Sequence, residues 1–267
     1  MPRAIVLGII LSTAALLPAA AVPPLRIAVP AAGEGLRAAG QWSELAHDTM
    51  MESAIMVSIV EDDLAARSLL RSREAEAAVL DPVSYLAYGP GISIVAIMEN
   101  YGEPYSRFSL IVPGASIFHR LPDLHSPRVA FRGPSSGIAR TYAFAWAHTL
   151  GAFPGGIREE ILLDSFESIL RAVALAEVDA GFVPTAFMET LRGSVLLEGV
   201  RELASSPRIP LALLVFRDDL NQQRKELVLS CARYMASNAT PGLVSFPDER
   251  LPGILTSIAE TLGAAAR

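Results

Sequence analysis

Short apolar runs of strand length alternate with segments of helical periodicity along most of this chain. The runs predict strands at 25–29, 55–60, 77–80, 92–98, 108–112, 128–131, 161–163, 180–183 and 211–216. Helices are predicted at 42–51, 136–150, 166–176 and 220–236, and another begins at Asp62 or Asp63 with Leu64 and Leu69 or Leu70 facing inward. Such alternation is typical of an α/β fold in which mostly parallel sheets carry helices on both faces.

The length of the chain predicts two lobes rather than one open sheet. The proline-flanked stretches 103–113 and 207–210 read as crossings between the lobes. We therefore expect residues 22–112 plus 210–267 to form lobe 1, and residues 113–209 to form an inserted lobe 2. Two such lobes place a ligand in the cleft between them, near the carboxyl ends of the strands.

The N-terminus predicts export from the cytoplasm. Arg3 precedes an uncharged apolar stretch, 4–17, and the small residues 19–21 follow Pro18. This order is typical of a signal peptide, here residues 1–21, with cleavage after Ala21. The alternative is an uncleaved membrane anchor, but Pro18 and two further prolines at 23 and 24 would break a spanning helix.

The amino-acid composition argues against several classes of function and site. Acidic residues outnumber Lys plus Arg by 28 to 22, which argues against nucleic-acid binding. Cys231 is the only cysteine, so the chain has no pair of thiols for an internal disulfide or a zinc site. The four histidines are scattered, without the spacing of metal ligands. We expect no metal and no cofactor.

The segment 132–137 is the strongest candidate for a binding site. It follows a predicted strand and opens a predicted helix, so free N–H groups and the positive end of the helix dipole favour an anion there. Ser135 and Ser136 add hydroxyl donors before Gly137, and Arg132 and Arg140 add charge if they turn inward. The alternative is an ordinary tight turn with a helix cap.

The same residues spell G-x-S-x-G, the pattern of a hydrolase nucleophile. The only histidine after Ser135 is His148, and no acid lies between them. His148 would also lie roughly 18 Å along the helix at 1.5 Å per residue. We therefore expect no catalysis by Ser135, and no enzymatic activity.

Two more segments border the expected cleft. Ser84 and Tyr85 follow a strand directly and are candidates to bring hydroxyls to a ligand; alternatively, Asp81 caps a helix and Tyr85 packs in the core. The acids at 61–63 would repel an anion if they lined the cleft, whereas the alternative has two of them solvated and one capping a helix.

Several segments, taken in order, resemble the PhnD-like family, the phosphate/phosphite/phosphonate periplasmic substrate-binding proteins of ABC transporters. They are Asp81-Pro82-Val83-Ser84-Tyr85-Leu86, Gly102-Glu103-Pro104-Tyr105-Ser106, Leu121-Pro122-Asp123-Leu124 before Arg128-Val129-Ala130-Phe131, Ser135-Ser136-Gly137, Arg171-Ala172-Val173 before Glu177-Val178-Asp179-Ala180, and Ser206-Pro207-Arg208-Ile209-Pro210. Together they span most of residues 77–217.

The resemblance implies a type II periplasmic binding protein, a two-lobe Venus-flytrap that captures a small solute without catalysis. It implies a monomer in the periplasm that delivers the solute to an inner-membrane permease. An oxyanion is the favoured solute, and a smaller, less polar or altogether different solute is the alternative. By position, Tyr85 and Ser135-Ser136-Gly137 would hold the oxyanion.

The sequence also departs from the family pattern. Pro134 replaces a hydroxyl residue, Phe166 replaces a histidine, and the acids that accompany aminoalkyl ligands are missing, which disfavours an aminophosphonate. An alternative function is a periplasmic ligand sensor that partners a membrane sensor kinase with the same fold.

Overall fold

A computed structural model describes residues 23–31, 55–99, 102–133, 137–238 and 244–266. Within these ranges the chain forms two β-sheets with helices packed on them. The predicted signal peptide 1–21, the predicted helix 42–51 and the residues Ser135 and Ser136 lie outside the described residues.

The first sheet contains the earliest and the latest strands of the chain. They are β1 (Leu25–Pro30), β2 (Ile55–Val60), β3 (Ala77–Leu80), β4 (Ile92–Met98), β10 (Ala212–Arg217) and β11 (Val244–Ser245). Their order is β11-β4-β10-β3-β1-β2. β1 to β4 point the same way, whereas β10 and β11 run antiparallel to their neighbours. The carboxyl ends of β1 to β4 therefore lie along one edge of this sheet.

The second sheet is built from the middle of the chain. Its strands are β5 (Phe108–Pro113), β6 (Arg128–Arg132), β7 (Glu159–Leu163), β8 (Ala180–Pro184) and β9 (Val200–Ser205), in the order β7-β6-β8-β5-β9. Only β5 runs antiparallel to the rest among these described strands. The carboxyl ends of β6, β7 and β8 share one edge.

Helices pack against both sheets. The helices are α1 (Asp63–Arg71), α2 (Pro82–Tyr88), α3 (Ala143–Thr149), α4 (Phe166–Ala174), α5 (Thr185–Thr190), α6 (Val195–Glu198), α7 (Gln222–Asn238) and α8 (Leu251–Ala265). A π-helical turn, Ile138–Tyr142, runs directly into α3. One buried cluster joins one face of the first sheet to α7, through Val228 and Cys231. The predicted α/β fold of two sheets with helices is confirmed, and antiparallel strands make both sheets mixed.

A larger buried cluster connects the two sheets. It reaches from Leu80 and Ile97 in the first sheet to Phe108 and Phe131 in the second. α8 belongs to the same cluster and packs against both α2 and α3. α8 was not predicted from the sequence, and its contacts help to join the two halves of the molecule.

The chain crosses between the sheets at two segments that pair with each other. Ser106 N donates to Ile209 O at 2.9 Å, and Ile209 N donates to Ser106 O at 2.8 Å. The sequence predicts residues 108–112 at the end of lobe 1, but β5, which contains them, pairs with β8 and β9 of the second sheet. The chain therefore enters the second sheet before Phe108.

One predicted core position in α1 is wrong. Leu64 is 59% exposed, whereas Leu70 of the same helix is fully buried. Asp62 caps α1, and its side chain accepts a hydrogen bond from Ala65 N at 2.8 Å. The helix therefore begins at Asp63, and the inward face passes through Ala66 and Leu70.

Candidate functional site

The candidate site lies where the carboxyl edges of the two sheets meet. Asp81 follows β3 directly in the first sheet, and Ile138 follows β6 after a short connection in the second. Ile138 N donates to Asp81 Oδ2 at 3.3 Å, so these edges face each other and are in contact.

Asp81 uses its other carboxylate oxygen to cap α2. Asp81 Oδ1 accepts a hydrogen bond from Ser84 N at 2.7 Å, and Pro82 occupies the first turn of the helix. This is a favourable start for a helix, because proline has no N–H to satisfy there. Ser84 itself is buried, with 8% exposure. The capping role that the sequence left as an alternative is therefore present.

Gly137 lies against the same carboxylate. A Cβ atom at this position would come within 2.8 Å of Asp81 Oδ2. A side chain would have to displace the carboxylate, so only glycine fits here without a shift. Of the predicted anion-binding turn, Gly137 is thus brought next to Asp81, while Ser135 and Ser136 lie outside the described residues.

Asp63 is the second acid of this region and lies next to Asp81. Its Oδ1 accepts a hydrogen bond from Asp81 N at 2.7 Å. Burial, together with the nearby Asp81 carboxylate, raises the pKa of Asp63 to about 8. The neutral acid form is therefore favoured at pH 7, so this carboxyl adds little negative charge to the site at that pH.

Burial also raises the pKa of Asp81, although the backbone N–H groups of Ser84, Ile138 and Val83 act in the opposite direction. Those three donors favour the ionised form of Asp81 over that of Asp63, which accepts only from Asp81 N among the contacts described. The geometry favours one negative charge on the pair, located mainly on Asp81.

The expectation for the acids at 61–63 is corrected in part. Glu61 is exposed and Asp62 caps α1, as one alternative predicted. Asp63, however, is partly buried and turned onto Asp81 rather than solvated. No local sequence pattern indicates this contact, because the two acids are 18 positions apart and meet only when β3 is in place.

Arg132 ends β6 at the edge of the second sheet. Its guanidinium carbon lies 4.7 Å from the centre of the Phe166 ring, within the range of a cation–π contact. Phe166 is buried and also approaches Phe187, with 5.9 Å between ring centres. Phe166 therefore supports an arginine side chain at the edge of the second sheet.

Arg140 does not turn inward. It is exposed, and its Nε donates to Glu160 Oε2 at 3.0 Å on β7. Such an exposed pair contributes little to stability. The inward turn predicted as one alternative for Arg140 is therefore absent, and its charge is paired with Glu160.

Tyr85 is partly buried on α2 and packs against the large core cluster. Burial raises the pKa of its hydroxyl, and the charge of Asp218 adds to this shift. Asp218 follows β10, at the end of the first sheet opposite to the candidate site. The phenol is therefore within electrostatic range of that opposite end, and a ligand contact by Tyr85 stays a prediction.

The described residues hold neither a metal centre nor a membrane-spanning helix. They contain no group of three His, Cys, Asp or Glu residues that would hold a metal ion. Within the same ranges, every helix is too short or too polar to cross a membrane. His148 is exposed near the end of α3, and its ring lies 5.8 Å from that of Phe144.

Comparison with solved structures shows the same fold in several binding proteins. XAC2383 from Xanthomonas citri bound to chloride ion has a TM-score of 0.74 at 14% identity, covering 91% of this chain and 98% of that one. PhnD1 from Prochlorococcus marinus in complex with methylphosphonate has a TM-score of 0.68 at 11% identity, covering 90% and 98%. The alkanesulfonate-binding protein SsuA from Xanthomonas axonopodis pv. citri bound to MOPS has a TM-score of 0.56 at 17% identity, covering 93% and 95%.

These likenesses confirm the two-lobe type II periplasmic binding protein fold. No curated protein sequence matches the chain. The family model described as "ABC transporter, phosphonate, periplasmic substrate-binding protein" matches residues 43–242. That match covers most of the chain, which therefore belongs to the family of periplasmic substrate-binding proteins of phosphonate ABC transporters.

Proposed function

We propose that this protein captures a small oxyanion of the phosphonate, phosphite or phosphate class in the periplasm and delivers it to an inner-membrane ABC permease. The observation that carries the proposal is the family match over residues 43–242. The neighbours in complex with methylphosphonate and with MOPS support an anionic ligand, phosphonate or sulfonate. The protein acts as a monomer, needs no cofactor and performs no catalysis.

The local chemistry agrees with an anionic ligand. Arg132 brings a permanent positive charge to the edge of the second sheet, where Phe166 supports it. Gly137 begins the helical segment that runs through Ile138–Tyr142 into α3, and this end of a helix carries partial positive charge. In the proposed site the ligand's oxygens contact Ser135, Ser136 and Gly137, with Arg132 nearby.

The opposite wall is proposed to come from α2. Ser84 and Tyr85 both lie on this helix, and Ser84 is close to the acid pair at its N-terminus. The negative charge of Asp81 on this wall disfavours a ligand with a high negative charge and favours a singly charged oxyanion. A singly charged phosphonate or phosphite meets that requirement, and so does a sulfonate.

Ligand-dependent stability tests this proposal directly. The chain from Val22 onward would be unfolded thermally with methylphosphonate, phosphite, phosphate, methanesulfonate and a neutral sugar as separate additions. A ligand at 100 times its Kd adds about 2.7 kcal/mol, which corresponds to roughly 5–10 °C for a protein of this size. A rise confined to the oxyanions supports the proposal, and a flat response to all of them contradicts it.

The partner is tested separately. Membranes from the native host, solubilised in detergent, would be passed over the immobilised protein with and without the oxyanion that raises its stability. Retention of an ABC permease supports delivery to a transporter. Retention of a sensor kinase instead would support the alternative, a ligand-sensing role on the same fold.

A further inference from the structure

The Asp81 carboxylate is shared between two helical segments that belong to different sheets. Oδ1 caps α2 beside the first sheet, and Oδ2 accepts from Ile138 N beside the second. A carboxylate serves two donors in this way because both of its oxygens are acceptors. This contact fixes the start of the Ile138–Tyr142 turn relative to α2.

The close approach of Gly137 strengthens that link. The absence of a side chain at Gly137 leaves the space that Asp81 Oδ2 fills, since a Cβ there would be 2.8 Å away. Gly137 is also the last residue of the proposed oxyanion turn. A displacement of the Asp81 carboxylate would therefore change the position of the turn directly.

The charged groups around Asp81 come mainly from α1. Asp63 contacts Asp81 N, and the charges of Asp62 and Arg67 act on the acid pair from the same helix. From the second sheet, Asp81 meets the backbone N–H of Ile138, while Arg140 is directed at Glu160. Asp63 is thus the acid whose protonation changes the net charge next to Asp81.

We propose that Asp81 is a positioning residue of the oxyanion site, which holds the start of the Ile138–Tyr142 turn against α2, and that a proton on Asp63 keeps this acid pair at one negative charge. This inference rests on the proposed function for its ligand, but the Asp81–Ile138 link stands on geometry alone. Loss of the Asp63 proton places a second negative charge beside the turn. Binding of an anion then weakens.

Asparagine variants separate the two roles of Asp81. Asp81→Asn keeps one acceptor oxygen, and asparagine is a good helix cap, so α2 retains its N-terminal hydrogen bond. Its NH₂ group then faces Ile138 N, which is also a donor, and the link to the second sheet is lost. Asp62→Asn is the matched control, because Asp62 caps α1 through Ala65 N and has no described contact with the second sheet.

The first measurement is the NMR chemical shift of the Ile138 amide proton, recorded from pH 6 to 9.5 without ligand. In the wild type its chemical shift should change with an apparent pKa near 8, the value expected for Asp63. Asp63→Asn should abolish that step, and Asp81→Asn should speed hydrogen exchange at Ile138 by roughly tenfold. Asp62→Asn should keep the titration step, moved to lower pH because the charge of Asp62 is gone, and should leave hydrogen exchange at Ile138 unchanged.

The second measurement is the affinity for methanesulfonate, whose charge stays constant over this pH range. Binding to the wild type should weaken by roughly fivefold above pH 8, and Asp63→Asn should bind equally well at both ends of the range. A step that persists in Asp63→Asn, or equal effects of Asp62→Asn and Asp81→Asn, overturns the proposal. If no oxyanion binds the wild type, the proposed function fails, and the Ile138 amide still decides whether the Asp81 link exists.

Discussion

Arg224 Nε donates to Glu76 Oε1 at 2.8 Å, and only 10% of the Arg224 side chain and 12% of the Glu76 side chain are exposed. The guanidinium also donates to Pro23 O at 2.6 Å and to Pro24 O at 3.0 Å. One arginine on α7 therefore holds the residues before β1 and the residue before β3. Burial alone would raise the pKa of Glu76, but the hydrogen bonds from Arg224 and Arg26 lower it overall.

Removal of Arg224 should destabilise the fold strongly. Arg224→Leu leaves the Glu76 carboxylate buried without its partner, and breaking such a pair costs roughly 3–5 kcal/mol. The free energy of unfolding in urea measures this loss. Arg171→Leu is the control, because Arg171 pairs with Glu167 on the exposed face of α4 and should lose only about 0.5 kcal/mol. Similar losses in the two variants would contradict the anchoring role of Arg224.

Stability should fall as the pH rises through the neutral range. The pKa of Asp63 is raised to about 8 in the folded protein, so the folded state holds a proton there that the unfolded chain releases above pH 4. The folded state thus binds more protons than the unfolded state, and the free energy of unfolding decreases by up to about 1.4 kcal/mol per pH unit between roughly pH 5 and 8.

The Asp63→Asn variant tests the origin of that slope. Urea unfolding at pH 5, 6, 7 and 8 should show a flatter pH dependence for Asp63→Asn than for the wild type. Equal slopes for the two proteins would show that Asp63 is ionised in the folded state at neutral pH.

The sheet strands were predictable because most of them are buried on both faces. β3 and β8 are buried at every position, so each reads as a continuous apolar run. β9 lacks such a run and has only half-buried or exposed positions, and it was missed for that reason. α8 was also missed, because a proline and a glycine at 252 and 253 fall in its first turn and an alanine-rich stretch ends it.

The candidate site was predictable only as a set of local motifs. The sequence correctly indicated a helix cap at Asp81, because the spacing of Asp81, Pro82 and Ser84 is local. The second role of Asp81 depends on Ile138, which is 57 positions away, and no local pattern carries that information. The contact between Arg132 and Phe166 could not be predicted from the sequence for the same reason, because it requires β6 and α4 to be neighbours in the fold.

Substitution of Gly137 should disturb the contact between the two sheets. In Gly137→Ala the new methyl group would come within 2.8 Å of Asp81 Oδ2, so the carboxylate or the helical turn must move. We expect a loss of about 1–3 kcal/mol in urea unfolding. Gly253→Ala is the matched control, because nothing lies within 4 Å of its added Cβ on α8 and it should gain roughly 0.5 kcal/mol. A neutral effect of Gly137→Ala would show that the close contact is absent in solution.

The stability of the crossing between the sheets should depend on the hydroxyl group of Ser206. Ser206 is fully buried, and its Oγ accepts from Phe108 N at 2.9 Å and donates to Pro207 O at 2.8 Å. Ser206→Ala leaves the Phe108 amide buried without that acceptor, at a cost of about 1–3 kcal/mol. Thermal unfolding measures the loss, and Ser257→Ala on the exposed face of α8 should change the midpoint little. Equal midpoints for Ser206→Ala and the wild type would refute the prediction.

Affinity for an oxyanion should depend on the aromatic ring under Arg132. Phe166→Leu keeps an apolar side chain in the core but removes the ring that lies 4.7 Å from the guanidinium carbon. A cation–π contact of this kind contributes about 0.5–1 kcal/mol, so methylphosphonate should bind roughly two- to fivefold more weakly in calorimetry. Stability of the variant, measured in parallel, should fall by about 1–2 kcal/mol because a buried residue has been made smaller.

A double-mutant cycle separates an effect through Arg132 from a general loosening of the fold. Arg132→Gln alone should weaken binding more than Phe166→Leu does, because it removes the charge itself. In the Arg132→Gln background, Phe166→Leu should then have no further effect on affinity, since the ring acts only by holding the guanidinium. If the two losses in binding free energy simply add, Phe166 affects ligand binding independently of Arg132. That result would contradict the prediction that the ring acts by holding the guanidinium.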